Sequence, residues 1–226
     1  MDNVFIVIAA YNEERAIGEV INGLKAKHYN NIVVVDDGSK DKTSDIAAQH
    51  GATVITHVLN RGQGAALKTA IDFALQENAD IIVTFDADGQ HRVEDLPAMI
   101  APVASGEVDI TLGSRFLAQG SNVPGLRKFW LRMGSLLFRA LYGVKLTDSH
   151  NGFRALSRHA AETIEIKADR MEHASEIIDQ IGAHKLRYQE VPVVIHYTAY
   201  SKAHSSQGMF PALKIFFRTI THKFLR

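Results

Sequence analysis

Asp86 and Asp88 are separated by a single alanine, at the point where the run IIVTFDADGQH (81–91) stops resembling a buried strand. Two carboxylates so placed offer hard oxygens suited to Mg²⁺ or Mn²⁺, and Gln90 could add another. Such ions keep waters and are completed by substrate phosphates. The competing reading makes the same aspartates turn formers ahead of Gly89. A second acid pair, Asp36 and Asp37 in VVVDDGSKD, closes another apolar run. These acids can accept hydrogen bonds from a nucleobase or ribose, or cap the following helix, for which Ser39, Asp41 and Thr43 are also available. Arg115, in GSR, places a cation after a third apolar run, with a surface ion pair as its plainer use. NRGQGAAL (60–67) joins two glycines to a helix start; it suits either an anion or a tight turn into a packed helix.

The elements that must carry these groups alternate. VFIVIAA (4–10) reads as a buried strand, and the helix after it sets Ile17, Val20, Ile21 and Leu24 on one face. NIVVVDD (31–37) is a second strand, KTSDIAAQHG a short helix closed by Gly51, and ATVITHV a third strand. GAALKTAIDFALQEN has helical spacing, IIVTF is the fourth strand and VDITLGS (108–114) the fifth. The alternation predicts a mostly parallel sheet covered on both faces, with ligands bound beyond the carboxyl ends of its strands. The polar clusters follow those ends, which outlines one cleft.

The later half is less regular. LRKFWLRMGSLLFRALYG (126–143) predicts a long helix that is basic and apolar at once. TDSHNGFRALSR reads as a loop and short strand, EHASEIIDQIGAH as a helix, and KLRYQEVPVVIHY as a strand whose Pro192 argues for an edge or bulge. Residues 209–226 place Phe210, Leu213, Phe217, Ile220 and Phe224 on one stripe, with Lys214, Arg218, Lys223 and Arg226 elsewhere. Such a basic amphipathic helix suits a membrane surface or a membrane-protein partner, or ordinary packing onto the domain or a second subunit.

Composition narrows the field. The 226 residues carry no net formal charge, so no overall pull toward nucleic acid is expected. With no cysteine there is no disulfide, thiolate metal site or thiol nucleophile. No histidine spacing suggests zinc. Neither a signal peptide nor a membrane-spanning run is found, so a cytoplasmic location, or the cytoplasmic face of a membrane, is expected.

AYNEE, VVVDDGSKDKT, NRGQGAAL, DADGQH, GSR and TDSHNGFRAL, in this order across about residues 4–156, resemble glycosyltransferase family 2, and RYQEVPVVIHY extends the likeness toward 197. Within that family the pattern is most similar to the dolichyl- or polyprenyl-phosphate hexosyltransferases. The resemblance implies an α/β GT-A (Rossmann-like) catalytic domain over 1–208. It further implies that Ala9, Tyr11, Glu13, Val35, Asp37, Asp86 and Ala87 hold a UDP- or GDP-linked sugar. Asp86, Asp88 and Gln90 then bind Mg²⁺ or Mn²⁺, and Arg115, Arg127 and Ser135 meet a lipid-phosphate acceptor. Two departures stand out. Ala9 replaces a proline, and Thr198 replaces a phosphate-binding arginine whose work Lys202 is expected to take.

Transfer with inversion follows from the resemblance. A lipid phosphate is already an anionic nucleophile, whereas a sugar hydroxyl needs a base, for which Asp148, Glu172 and Glu176 are the candidates. The phosphate acceptor is preferred because the 126–143 helix is basic. Three rivals are weaker. A haloacid-dehalogenase-like phosphatase would place its D-x-D-G near the chain start and follow it with threonine. A sugar nucleotidyltransferase would have a basic, glycine-rich first loop where this chain has the acidic AAYNEE. A non-enzymatic scaffold would not need the intact acidic motif.

Overall fold

Continuous apolar runs become strands buried on both faces. The structure, a computed structural model, describes residues 3–118, 144–148 and 151–195. Its seven strands are β1 (Val4–Ala10), β2 (Ile32–Asp36), β3 (Thr53–Thr56), β4 (Ile81–Thr84), β5 (Ile110–Ser114), β6 (Arg154–Ser157) and β7 (Tyr188–Pro192). They form one sheet in the order β3-β2-β1-β4-β6-β5-β7. Pairing is parallel along β3, β2, β1 and β4 and between β5 and β7; β6 alone runs antiparallel, between β4 and β5. Reversal matters for the site, because it brings the start of β6 to the edge where the other six strands end.

Alternation along the strands divides the core. Phe5 and Val7 of β1, with Val33 and Val35 of β2, pack beneath α3 (Gln63–Gln76), α5 (Arg158–Thr163) and α6 (His173–Ala183). Ile6, Ile8, Ile32 and Val34 face the other way, against α1 (Ile17–Ala26), α2 (Thr43–Gln49) and α4 (Leu96–Ala104). Both faces are therefore covered, as the unbroken Val and Ile runs require.

The expected strands and helices among the described residues are present, and Pro192 does lie on an edge strand, paired opposite Ser114. Three features differ. The direction of β6 was not anticipated, the short α5 directly after it was not expected, and α4 was passed over because Pro97 and Pro102 obscure its helical spacing. The helices expected over 126–143 and 209–226 lie outside the described residues.

Candidate active site

The loop after β1 and the loop after β2 are laced together. Asn12 adopts φ 56° and exchanges bonds with the second loop: its N–H donates to Ser39 Oγ at 2.9 Å, and its Oδ1 accepts the Lys40 N–H at 2.9 Å. Glu13 N–H donates to Thr43 Oγ1 at 2.8 Å, and Glu14 accepts the Lys42 N–H at 3.1 Å. The lacing leaves Tyr11 exposed at the carboxyl edge, beside the half-buried Ala9 and Glu13. Val35 and Ala87 are buried, Val35 in the core layer beneath α3 and Ala87 in the layer beneath α1 and α4.

Asp37 has a framework task. Its carboxylate accepts the backbone N–H of Arg61 at 3.0 Å and of Gly62 at 2.6 Å, and touches His57 Nδ1 at 2.7 Å. It is only 3% exposed, and so pins the loop after β3 rather than reaching outward. Asp36 is likewise turned inward, onto Ser39. Neither acid caps α2; Asp41 instead accepts the Thr43 N–H at 3.0 Å.

The glycines of NRGQGAAL serve packing. A Cβ on Gly64 would sit 2.0 Å from the Ala168 carbonyl, and one on Gly62, at φ +120°, 2.5 Å from that of Asp169. Ala65 N–H at the start of α3 donates to Asp169 O at 3.0 Å. The helix start thus receives a backbone carbonyl, and the tight-turn reading holds.

Beyond β4, Asp86 and Asp88 are both half-buried. Asp86 Oδ2 lies 2.8 Å from His91 Nε2, whose ring packs edge-on against Phe85 and tilted against Phe153. A Cβ on Gly152 would come within 2.9 Å of Asp86 Oδ1, so only a bare Cα leaves this carboxylate its place. Burial works against the charged form of Asp86, but His91, Arg154 and His173 more than offset it and its carboxyl stays below the usual range. Asp88 is shifted the other way: burial and then the Asp86 charge raise it. Gln90 donates to Asp88 from its backbone N–H at 3.0 Å and from its side-chain amide, so its amide oxygen is the atom left for a cation. Beside Asp88 a cavity of about 530 Å³ opens toward Arg15 and Glu19.

The donor set fits a divalent cation. Two hard carboxylates are forced together, and the repulsion that raises Asp88 is one a cation would relieve. Among the described residues no third Asp, Glu or His joins them in a closed cage, so the remaining positions fall to water and substrate oxygens.

Arg115, beyond β5, donates from Nε to Asp148 Oδ2 at 2.6 Å, and its backbone N–H reaches the same oxygen at 3.2 Å. Asp148 has no exposed side-chain surface. Its backbone is held from β7, where Glu190 accepts the N–H groups of Thr147 at 2.8 Å and Asp148 at 3.0 Å. Burial raises Glu190. Asp148 is therefore corrected from candidate base to the anchor of Arg115. Glu176 accepts the N–H groups of Lys167 and Ala168, both at 2.9 Å, and is occupied in the same manner. Arg127, Ser135 and Lys202 lie outside the described residues.

The model of the glycosyl transferase family 2 matches residues 5–165. The chain belongs to that family. It is 41% identical over 226 residues to an uncharacterized protein of Methanocaldococcus jannaschii, covering 98% of this chain and 93% of that one. It is 34% identical over 241 residues to the UDP-N-acetylglucosamine–dolichyl-phosphate N-acetylglucosaminyltransferase of Methanococcus voltae, covering 97% of this glycosyltransferase and 96% of the relative. Its fold matches glucosyl-3-phosphoglycerate synthase from Mycobacterium tuberculosis, solved with Mn²⁺ and UDP-glucose, with TM-score 0.72 and 20% identity, over 97% of this chain and 78% of that chain. The GT-A fold is thereby established, and the phosphatase, nucleotidyltransferase and scaffold readings fall with the family assignment.

Sequence reasoning missed Gly152, Arg154, His91 and His173 as parts of this glycosyltransferase's site. GFR and DADGQH contain three of them, but only their acids and Gln90 had been given work.

Proposed function

We propose that this glycosyltransferase moves a hexose, with inversion, from a UDP- or GDP-linked donor to a polyprenyl or dolichyl phosphate at a membrane surface. The observation that carries this reading is the convergence of Asp86 and Asp88 at the sheet edge where the anchored Arg115 also lies. The Methanococcus voltae relative, alike over nearly its whole length, is named for a dolichyl-phosphate acceptor and a UDP-linked donor.

Asp86 and Asp88, with the Gln90 oxygen, would hold Mg²⁺ or Mn²⁺, which supplies positive charge to a departing diphosphate. Asp88 is steadied from below by both donors of Gln90. Tyr11 and Glu13 border the cleft on the nucleotide side, on a loop fixed by its lacing to the β2 loop. Arg115 brings a cation whose direction is set by Asp148, and orients an acceptor phosphate toward the anomeric carbon. A phosphate nucleophile needs no strong base, which accords with Asp148 and Glu176 being engaged elsewhere. Among the described residues no helix is long and apolar enough to cross a membrane. The 209–226 stripe is proposed to bring the enzyme to its lipid.

The test is a panel of UDP- and GDP-sugars with Mn²⁺ or Mg²⁺, with and without a short polyprenyl phosphate, read as nucleoside diphosphate release. Release that requires the lipid phosphate supports the reading. Transfer to free sugar hydroxyls with no response to the lipid overturns it.

A further inference from the structure

Arg154 is a buried cation at the heart of the site. It is 2% exposed and among the largest fully buried side chains. It opens β6, paired across the sheet with Thr84, two residues before Asp86, and with Leu112, three before Arg115. Among the described residues its Nε and Nη1 have no hydrogen-bond partner. Those two nitrogens are not satisfied by the described residues, so what Arg154 offers its surroundings there is its charge. The acids that feel it are Asp86 and Asp148. Burial lowers its pKa only to about 10, so the charge persists at neutral pH. His173, the nearby imidazole, is pushed down to about 4 by burial and by Arg154, and is uncharged at neutral pH.

We infer that Arg154 is a built-in countercharge to Asp86 in the carboxylate pair beyond β4, which discourages a divalent cation from loading alone and favours its entry together with an anionic diphosphate. The inference rests on the site reading above and deepens it. Asp86 and Asp88 bring two negative charges, and Arg154 offsets one. A lone cation therefore meets a weaker field than the carboxylates alone would exert, while a diphosphate meets a cation it would otherwise lack. Cation and donor strengthen each other's binding through their own attraction, and Arg154 biases that coupled loading against the cation arriving alone. Buried as it is, Arg154 is assigned a positioning role, exerted through its charge.

The discriminating feature is the sign of two effects. In Arg154→Met, Mn²⁺ alone, followed by loss of the free-ion electron paramagnetic resonance signal, should bind roughly fivefold tighter or more. UDP and GDP, titrated calorimetrically at saturating Mn²⁺, should bind roughly fivefold weaker or more. Arg154→Lys keeps the charge and should restore both values. Arg154→Gln repeats the measurements if the methionine variant does not fold. A general loosening of the site would weaken both ligands together, and that result, or unchanged affinities, overturns the inference. Failure of both neutral variants to fold makes Arg154 a folding residue and overturns it equally. A wild-type protein that binds neither Mn²⁺ nor nucleotide with Mn²⁺ defeats the site reading itself, and the inference with it.

Discussion

Asp148 accepts two hydrogen bonds from Arg115 through a single oxygen, one from the side chain at 2.6 Å and one from the backbone at 3.2 Å. The guanidinium is thereby fixed relative to its own strand end. Because Asp148 is wholly buried, removing one member of the pair leaves the other without the contact that holds it. Asp148→Asn should cost about 3 kcal/mol in urea denaturation, the range for breaking a buried pair from one side. Arg115→Lys keeps a cation but not the Nε contact, and should lower turnover by roughly tenfold to a hundredfold. Wild-type turnover in Arg115→Lys would remove Arg115 from the site.

Asp37 separates two roles by one measurement. If it pins the 57–62 loop, Asp37→Ala takes the partner from two partly buried N–H groups and should lose about 1–2 kcal/mol of stability without any ligand present. A variant of wild-type stability with weakened nucleotide affinity would restore the outward role first expected of it.

Gly64 offers a steric test. A methyl group 2.0 Å from the Ala168 carbonyl cannot be accommodated without moving α3 or the 168–170 segment. Gly64→Ala should destabilise by about 2–3 kcal/mol, measurable as a lower melting temperature. An unchanged melting temperature would show that the two segments do not meet as described.

His173 makes stability depend on pH in a defined direction. Its Nδ1 donates to Arg170 O at 2.7 Å, and burial followed by the Arg154 charge depresses its pKa to about 4. Below about pH 6.5 the unfolded chain takes up a proton that the folded chain refuses until about pH 4. Its contribution is therefore full above that window and falls as the pH drops through it, by on the order of 2–3 kcal/mol. His173→Gln should flatten the stability curve between pH 4 and 7. An equally steep curve would assign the dependence to other groups.

What was legible in the sequence follows from how local each signal is. β1, β2 and β4 are buried on both faces, so their apolar runs declared them, and Pro192 marked an edge because an edge tolerates a missing donor. The direction of β6 depends on how the chain returns to the sheet, which no short pattern encodes. Arg154 was hidden for a related reason: a charged residue opening a strand reads as exposed, yet the sheet closes over it from both neighbouring strands. Asp148 suffered the reverse error. In TDSHN it resembles a free loop acid, and only the Glu190 clasp from β7 draws it inside. The acids of DADGQH were found because two carboxylates one residue apart are conspicuous, whereas His91 needed the fold to show what it touches.

The most direct test compares wild type with Asp88→Ala, using the productive nucleotide sugar, Mn²⁺ and a short polyprenyl phosphate, with fold checked by circular dichroism. The expected result is nucleoside diphosphate release by the wild type, reduced by about a hundredfold or more in a variant that remains folded. Wild-type turnover in folded Asp88→Ala would contradict the central claim, because the diphosphate would then be leaving without the carboxylate said to hold its cation.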